Sequence, residues 1–178
     1  YIDMIDAALA GDRMVGMAQP TTEGSADAPE IYATGCAGRL TRFAETGDGR
    51  YLITLQGICR FRVLRETTRQ TGFRTFAVAF DEFAGDLVEN DSDRSVDRDA
   101  VLGALRAYSE RNRIKIDWSG IADVSDELLV NTLAMLSPFG SAEKQALLEA
   151  RDVSERGRLL VAMTEIELAG REAGRSLQ

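Results

Sequence analysis

The spacing of apolar residues changes near residue 85, from a repeat of two to a repeat near 3.6, and that change restricts the chain to folds joining strands to helices. In "ICRFRVL", from Ile58, the residues Cys59, Phe61 and Val63 fall to one side and Arg60 and Arg62 to the other, as in a strand with one wet face. Further on, Val101, Leu105 and Tyr108, then Leu129, Leu133 and Leu136, then Leu159, Met163 and Ile166 recur at helical spacing. The expected fold class is α+β, with a strand-rich part over residues 1–84, an acidic connector over 85–99 and a helical part over 100–178.

The strand-rich part opens with a short helix, "YIDMIDAALAGD", in which Ile2, Ile5 and Leu9 share a face and Gly11 supplies the stop. A strand over "RMVGMAQP" closes at Pro20, and "TTEGSADAPE" reads as a polar loop. "IYATGCAGRLTRF" and "RYLITLQ" are expected to form a hairpin around Asp48-Gly49, followed by strands over "ICRFRVLRETTR" and "FRTFAVAF". Several short strands with turns between them imply a small barrel or sandwich. In the helical part, Ser125 is the expected cap before Asp126 and Glu127, Pro138 ends that helix, and Ser141 and Ser154 are expected to cap the next two.

Composition limits the chemistry. The chain has 178 residues, 44% of them hydrophobic and 28% charged, as in a soluble globular domain. No apolar run is long enough for a membrane span, and no signal-peptide pattern precedes the first helix. Histidine is absent, which removes Cys–His and Ser–His–Asp nucleophiles and histidine-containing zinc sites. Two cysteines do not make a disulfide framework, so a reducing, cytoplasmic setting is expected. Cys36 and Cys59 are both expected to be reduced, buried strand residues, with Gly35 and Gly38 allowing close backbone approach around Cys36.

Three stretches imitate functional motifs, of which "GDGRYL", from Gly47, lacks the third glycine of a dinucleotide fingerprint and sits in a hairpin. Ser141-Ala142-Glu143-Lys144 matches the Ser-x-x-Lys pair of acylating enzymes, but Lys115 and Lys144 are the only lysines and a Lys-Thr-Gly element is missing. Neither lysine follows a Gly-x-x-x-x-Gly, so no phosphate-binding loop is read. "DSDRSVDRDAVL", from Asp91, begins like a calcium loop, but Val96 stands where glycine is required and Leu102 where the bidentate glutamate belongs. No catalytic residue, metal ligand or cofactor-binding residue is assigned, and no cofactor is expected.

Charge is unevenly distributed. The chain carries −8, yet residues 31–80 hold eight arginines against Glu45, Asp48 and Glu66, a net of +5 that leaves −13 for the rest. Such a strand surface suits RNA phosphates or an acidic protein segment, or is the wet face of a sheet whose arginines offset acidic helices. No aromatic RNA-reading motif accompanies it, which favours the wet face.

"IYATGCAGRLTRF", "DGRYLITLQGICRFRV" and "LVNTLAMLSPFGSAEKQALLEA" together resemble the N-terminal substrate-binding domain of the Lon protease family. The chain resembles in particular the small stand-alone bacterial proteins made of that domain alone. The resemblance carries three motifs in the expected order, Gly-Cys-x-Gly-Arg, Gly-x-x-Arg-Phe and Pro-Phe…Glu-Lys-Gln-x-Leu-Leu-Glu, over nearly the whole chain. It implies a PUA-like β-barrel followed by an α-helical bundle. It also implies a non-catalytic module that binds unfolded or partner polypeptide, without the ATPase and Ser–Lys protease domains of full-length Lon. The alternative is a PUA-like RNA binder using residues 31–80, which net acidity disfavours. The peptide-binding residues and the oligomeric state are not assigned. The family's opening strands, before a Phe-Glu-x-Arg-Tyr stretch whose end matches Tyr1, are expected to be missing, making residues 1–178 a fragment of a longer chain.

Overall fold

The computed structural model describes residues 1–25, 28–67, 72–88, 96–121 and 123–175, with side chains described through residue 170. The chain divides into two compact units, Tyr1–Asp91 and Ser92–Gln178.

The first unit begins with α1, Ile2–Ala10, which buries Ile5 against Val15 and Leu40 with Met4, Ala8 and Leu9 beside it; Ile2, expected on that face, is exposed. Gly11 ends the helix, and its N–H reaches the Ala8 carbonyl at 3.2 Å. Four antiparallel strands follow in one sheet: β1 (Met14–Met17), β4 (Thr34–Glu45), β5 (Tyr51–Glu66) and β6 (Phe76–Ala79), in the spatial order β1-β4-β5-β6. The β4–β5 turn is the expected one, with Gly47 and Gly49 both at positive φ.

Two expectations are corrected here. The stretch around "TTEGSADAPE" is a ribbon, β2 (Pro20–Ser25) paired with β3 (Ala28–Ile31), and not a loop. Both of its faces are largely exposed, so it needs no apolar alternation and left none to read. Gly24 makes it possible: its φ is +91°, and a Cβ there would stand 2.6 Å from the Glu30 nitrogen. Second, "RYLITLQ" and "ICRFRVL" are one strand, β5, because the extra residue at Ile58 bends the ladder between Gly57 and Cys59 without breaking it.

No closed barrel forms among the described residues. Closure requires a strand to join the two edges of the sheet, and here β1 and β6 stay at opposite edges while β2 and β3 pair only with each other. What is found is an open four-stranded sheet beside a separate ribbon. The β6 strand is followed by a 3₁₀ helix, Asp81–Leu87, which carries Phe83 into a buried position.

The second unit is helical: α2 (Arg98–Asn112), α3 (Asp126–Leu136), α4 (Ser141–Glu149) and α5 (Val153–Arg175), with the first three each in contact with α5. Val96, Val101, Leu129, Val130, Leu147 and Leu160 form its core. Four residues expected on the apolar stripes are outside it: Leu105 and Tyr108, which are half-buried, and Leu136 at 76% and Ile166 at 71% exposure, where Val130 and Leu160 take the inward positions. The caps differ as well. Ser125 caps α3 as expected through the Leu128 N–H, but Gly140, with no side chain to offer, precedes α4, and Asp152 accepts the Glu155 N–H at the start of α5, so neither Ser141 nor Ser154 is the cap. Among the described residues no helix is long and apolar enough to cross a membrane.

Candidate functional site

Each chemistry-bearing candidate in the sequence has a structural occupation. Cys36 and Cys59 are both free thiols on neighbouring strands. Cys59 is buried, but Cys36 is only half-buried, which corrects the expectation that both lie inside. Burial, followed for Cys59 by the nearby Asp86 carboxylate, pushes both thiols above the ordinary value. A thiol so placed stays protonated and is a poor nucleophile. The close approach beside Cys36 belongs to Gly35, where a Cβ would lie 2.5 Å from the Phe61 ring and 2.7 Å from the Met17 carbonyl oxygen; at Gly38 there is ordinary room.

Lys144 does not serve Ser141. Its ammonium donates to the carbonyls of Ala134 and Met135, at 3.1 and 2.5 Å, and so closes the C-terminal end of α3. Of the calcium-like stretch, residues 91–95 lie outside the described residues; Val96 is in the helical core and Asp97 caps α2 through the Ala100 N–H.

Half of the eight arginines on the basic strand surface are paired with carboxylates among the described residues. Arg60, expected to face solvent, is 7% exposed, and Asp86 accepts from its backbone N–H (3.0 Å), Nε (2.9 Å) and Nη2 (2.7 Å). The Asp86 carboxylate raises the arginine's pKa further. Arg62 pairs with Glu82, and both guanidinium groups stand over the Phe83 ring, at 4.8 and 5.7 Å from its centre. Arg74 pairs with Glu66, and Arg50 with Asp48 at the exposed turn. Arg39, Arg42 and Arg65 are the remaining described arginines of that segment, and Arg69 lies outside the described residues. Two of the neutralising acids, Glu82 and Asp86, come just after residue 80, so a charge count that stops there misses them.

A second group of cationic side chains without such carboxylates lies in the helical unit. An open groove of about 790 Å³ is lined by Arg106, Ser109, Glu110 and Arg113 of α2 and its cap, and by Ile114, Lys115, Ile116 and Trp118 of the following loop. The first four recur at helical spacing and so share one side of α2. The chain leaves the helix through Arg113 in the left-handed region (φ 56°, ψ 37°), and the Ile114 N–H returns to the Ser109 carbonyl at 2.9 Å. That turn directs the loop back along the helix, and the Arg106 guanidinium stands 5.1 Å from the centre of the Trp118 ring. Ile114 is 49% exposed, so the groove offers an apolar surface as well as charge. Sequence reasoning passed over these residues; the one available signal was the chain's sole tryptophan, set among Arg113, Lys115 and two isoleucines just past an amphipathic stretch.

The family model for the ATP-dependent protease La (LON) substrate-binding domain matches residues 1–165. The chain belongs to this family. It is 24% identical to the Lon protease of Dictyoglomus thermophilum over 87% of the chain, and spans 20% of that protein. Its fold is similar to the Lon N-terminal domain protein from Xanthomonas campestris, with TM-score 0.61, 23% identity and coverage of 91% of this chain and 82% of that one. It is similar also to the N-terminal domain of the Mycobacterium avium complex Lon protease, at TM-score 0.59 and 20% identity, covering 90% of this chain and 82% of that one. The chain thus spans about a fifth of the curated Lon proteases it matches, and the structural likenesses establish the Lon N-domain fold. The motifs that carried the resemblance prove to be scaffold: Gly35 admits Phe61, Arg60 binds Asp86, and Lys144 closes α3.

Proposed function

We propose that this chain is a polypeptide-recognition module of the Lon type that acts by binding, with no ATPase or protease activity of its own, in the cytoplasm. The observation that carries the reading is the match of the Lon substrate-binding model to residues 1–165. The groove at the end of α2 supports it, since a polypeptide is held by apolar side chains and a few placed charges together. Lys144 supports the non-catalytic part, because its ammonium is engaged by two main-chain carbonyls and not by a serine. Two free thiols on neighbouring strands agree with a reducing compartment. We read the helical unit, residues 100–178, as the family's α-helical bundle, and residues 85–99 as a connector whose ends are drawn into the two units through Asp86 and Val96. The RNA-binding alternative loses part of its support, because four of its eight arginines, Arg50, Arg60, Arg62 and Arg74, are paired with carboxylates.

The test is binding of the purified chain to a permanently unfolded protein, reduced and alkylated, against the same protein in its folded form. Preferential binding of the unfolded form, with no ATP turnover and no cleavage of the client, is the expected result. Equal indifference to both forms, or client cleavage lost in Lys144→Ala, would overturn it.

A further inference from the structure

On the polypeptide-binding reading just given, we propose that the α2 groove takes an extended segment in which acidic residues flank an apolar side chain. Arg106, Arg113 and Lys115 line the groove against a single carboxylate, Glu110, in a chain whose overall charge is −8. Among the described residues, none of these three cations is in an ion pair; Arg13, Arg39, Arg42 and Arg65 of the strand unit share that state, but the groove lining brings its three together. A local positive field inside an acidic protein selects the sign of what enters.

The helix dipole explains part of this and leaves the rest. Cations at a helix C-terminus are favoured within the last turn, which covers Arg113. Arg106 lies further in, and its guanidinium stands over the Trp118 ring. Lys115 lies beyond the helix altogether. Arg113 also occupies a left-handed position where glycine would be more comfortable by about 1 kcal/mol. Arginine at that turn adds charge to the groove and to the helix end, and strains the backbone.

The apolar half of the occupant follows from Ile114, Ile116 and Trp118, which form the loop side of the groove. A bound leucine or phenylalanine side chain would cover Ile114 while its acidic neighbours reached Arg106 on one side and Lys115 or Arg113 on the other. A nucleic acid fits this lining less well. It needs a track of cations along its backbone and several stacking rings, and the groove has one indole and two isoleucines.

Trp118 is the only tryptophan, so its emission reports on the groove directly. The probes are synthetic ten-residue peptides without tryptophan or tyrosine. In the first, aspartates and glutamates flank leucine and phenylalanine; in the second, lysines replace the acids; in the third, serines replace the apolar residues. A single-stranded RNA oligonucleotide is the fourth probe. The first peptide is expected to change Trp118 emission and to bind roughly tenfold tighter than either control, weakening as salt rises. In the charge-reversed double variant Arg106→Glu with Lys115→Glu, preference should pass to the lysine peptide, a gain that misfolding cannot produce. Equal binding of acidic and basic peptides, an unaltered preference in the reversed variant, or tighter binding of RNA at Trp118 would overturn the groove assignment. If the unfolded client still binds in those cases, the broader polypeptide-binding reading survives. If neither client nor peptide binds, both fall.

Discussion

Arginine meets an aromatic ring twice in this molecule, with opposite outcomes. In the strand unit, Arg60 and Arg62 stand over Phe83 and are also bound by Asp86 and Glu82. In the helical unit, Arg106 stands over Trp118 at a similar distance, and no described carboxylate bridges it. The first arrangement spends its charge internally and holds the 3₁₀ helix to β5. The second keeps its charge for something outside the chain. The ring contact is common to both, so the carboxylates make the difference between a clasp and a binding surface.

The largest expected effect tests the clasp. Asp86→Ala leaves the Arg60 guanidinium buried with no carboxylate and should cost about 3–5 kcal/mol, as for other broken buried pairs. Urea unfolding followed by circular dichroism measures this. The matching change in the groove, Arg106→Ala, should cost about 0.5–1 kcal/mol, the worth of an exposed cation–π contact. If the two losses are alike, the comparison collapses.

Gly35→Ala is next. A methyl group pressed to 2.5 Å from the Phe61 ring, itself edge-on to Phe80, should cost about 1–3 kcal/mol. A melting temperature equal to that of the parent would show the strand unit to be looser than its geometry implies.

Arg113→Gly should move stability in the other direction, upward by about 0.5–1 kcal/mol, through relief of the left-handed turn. The same variant should bind the acidic peptide less tightly. Stability and binding would then part company at one residue, as expected where a charge is kept for recognition. A loss of stability would place Arg113 among the clasp-like residues.

The smallest effect is on pH dependence. Burial raises both thiols, so the native state holds these protons longer than the unfolded chain does. The stability they contribute is complete below the unfolded thiol pKa of about 8.5 and is lost as pH rises from there through the higher native values. Cys36→Ala with Cys59→Ala should flatten that decline in urea midpoints, and Cys36, the more accessible of the two, should react first with a thiol reagent. A decline unchanged in the double variant would assign it to other groups.

By itself the sequence determined the α+β class, the β4–β5 turn at Asp48-Gly49, the Ser125 cap and membership of the Lon substrate-binding family. These rest on periodicity, turn chemistry and short motifs, all of them local along the chain. The polar ribbon was missed because a strand pair wet on both faces has no alternation, and β5 was divided because a bulge resembles a break. Only the tertiary structure decided which arginines are spent. Arg60 and Arg106 are chemically identical, and nothing beside them in sequence separates them. Asp86 lies 26 positions from Arg60 and comes to it only when the 3₁₀ helix returns to β5, while a left-handed turn at Arg113 brings Trp118 to Arg106, which no described carboxylate bridges. Whether a charge is neutralised depends on distance in space, which the chain sets only by folding.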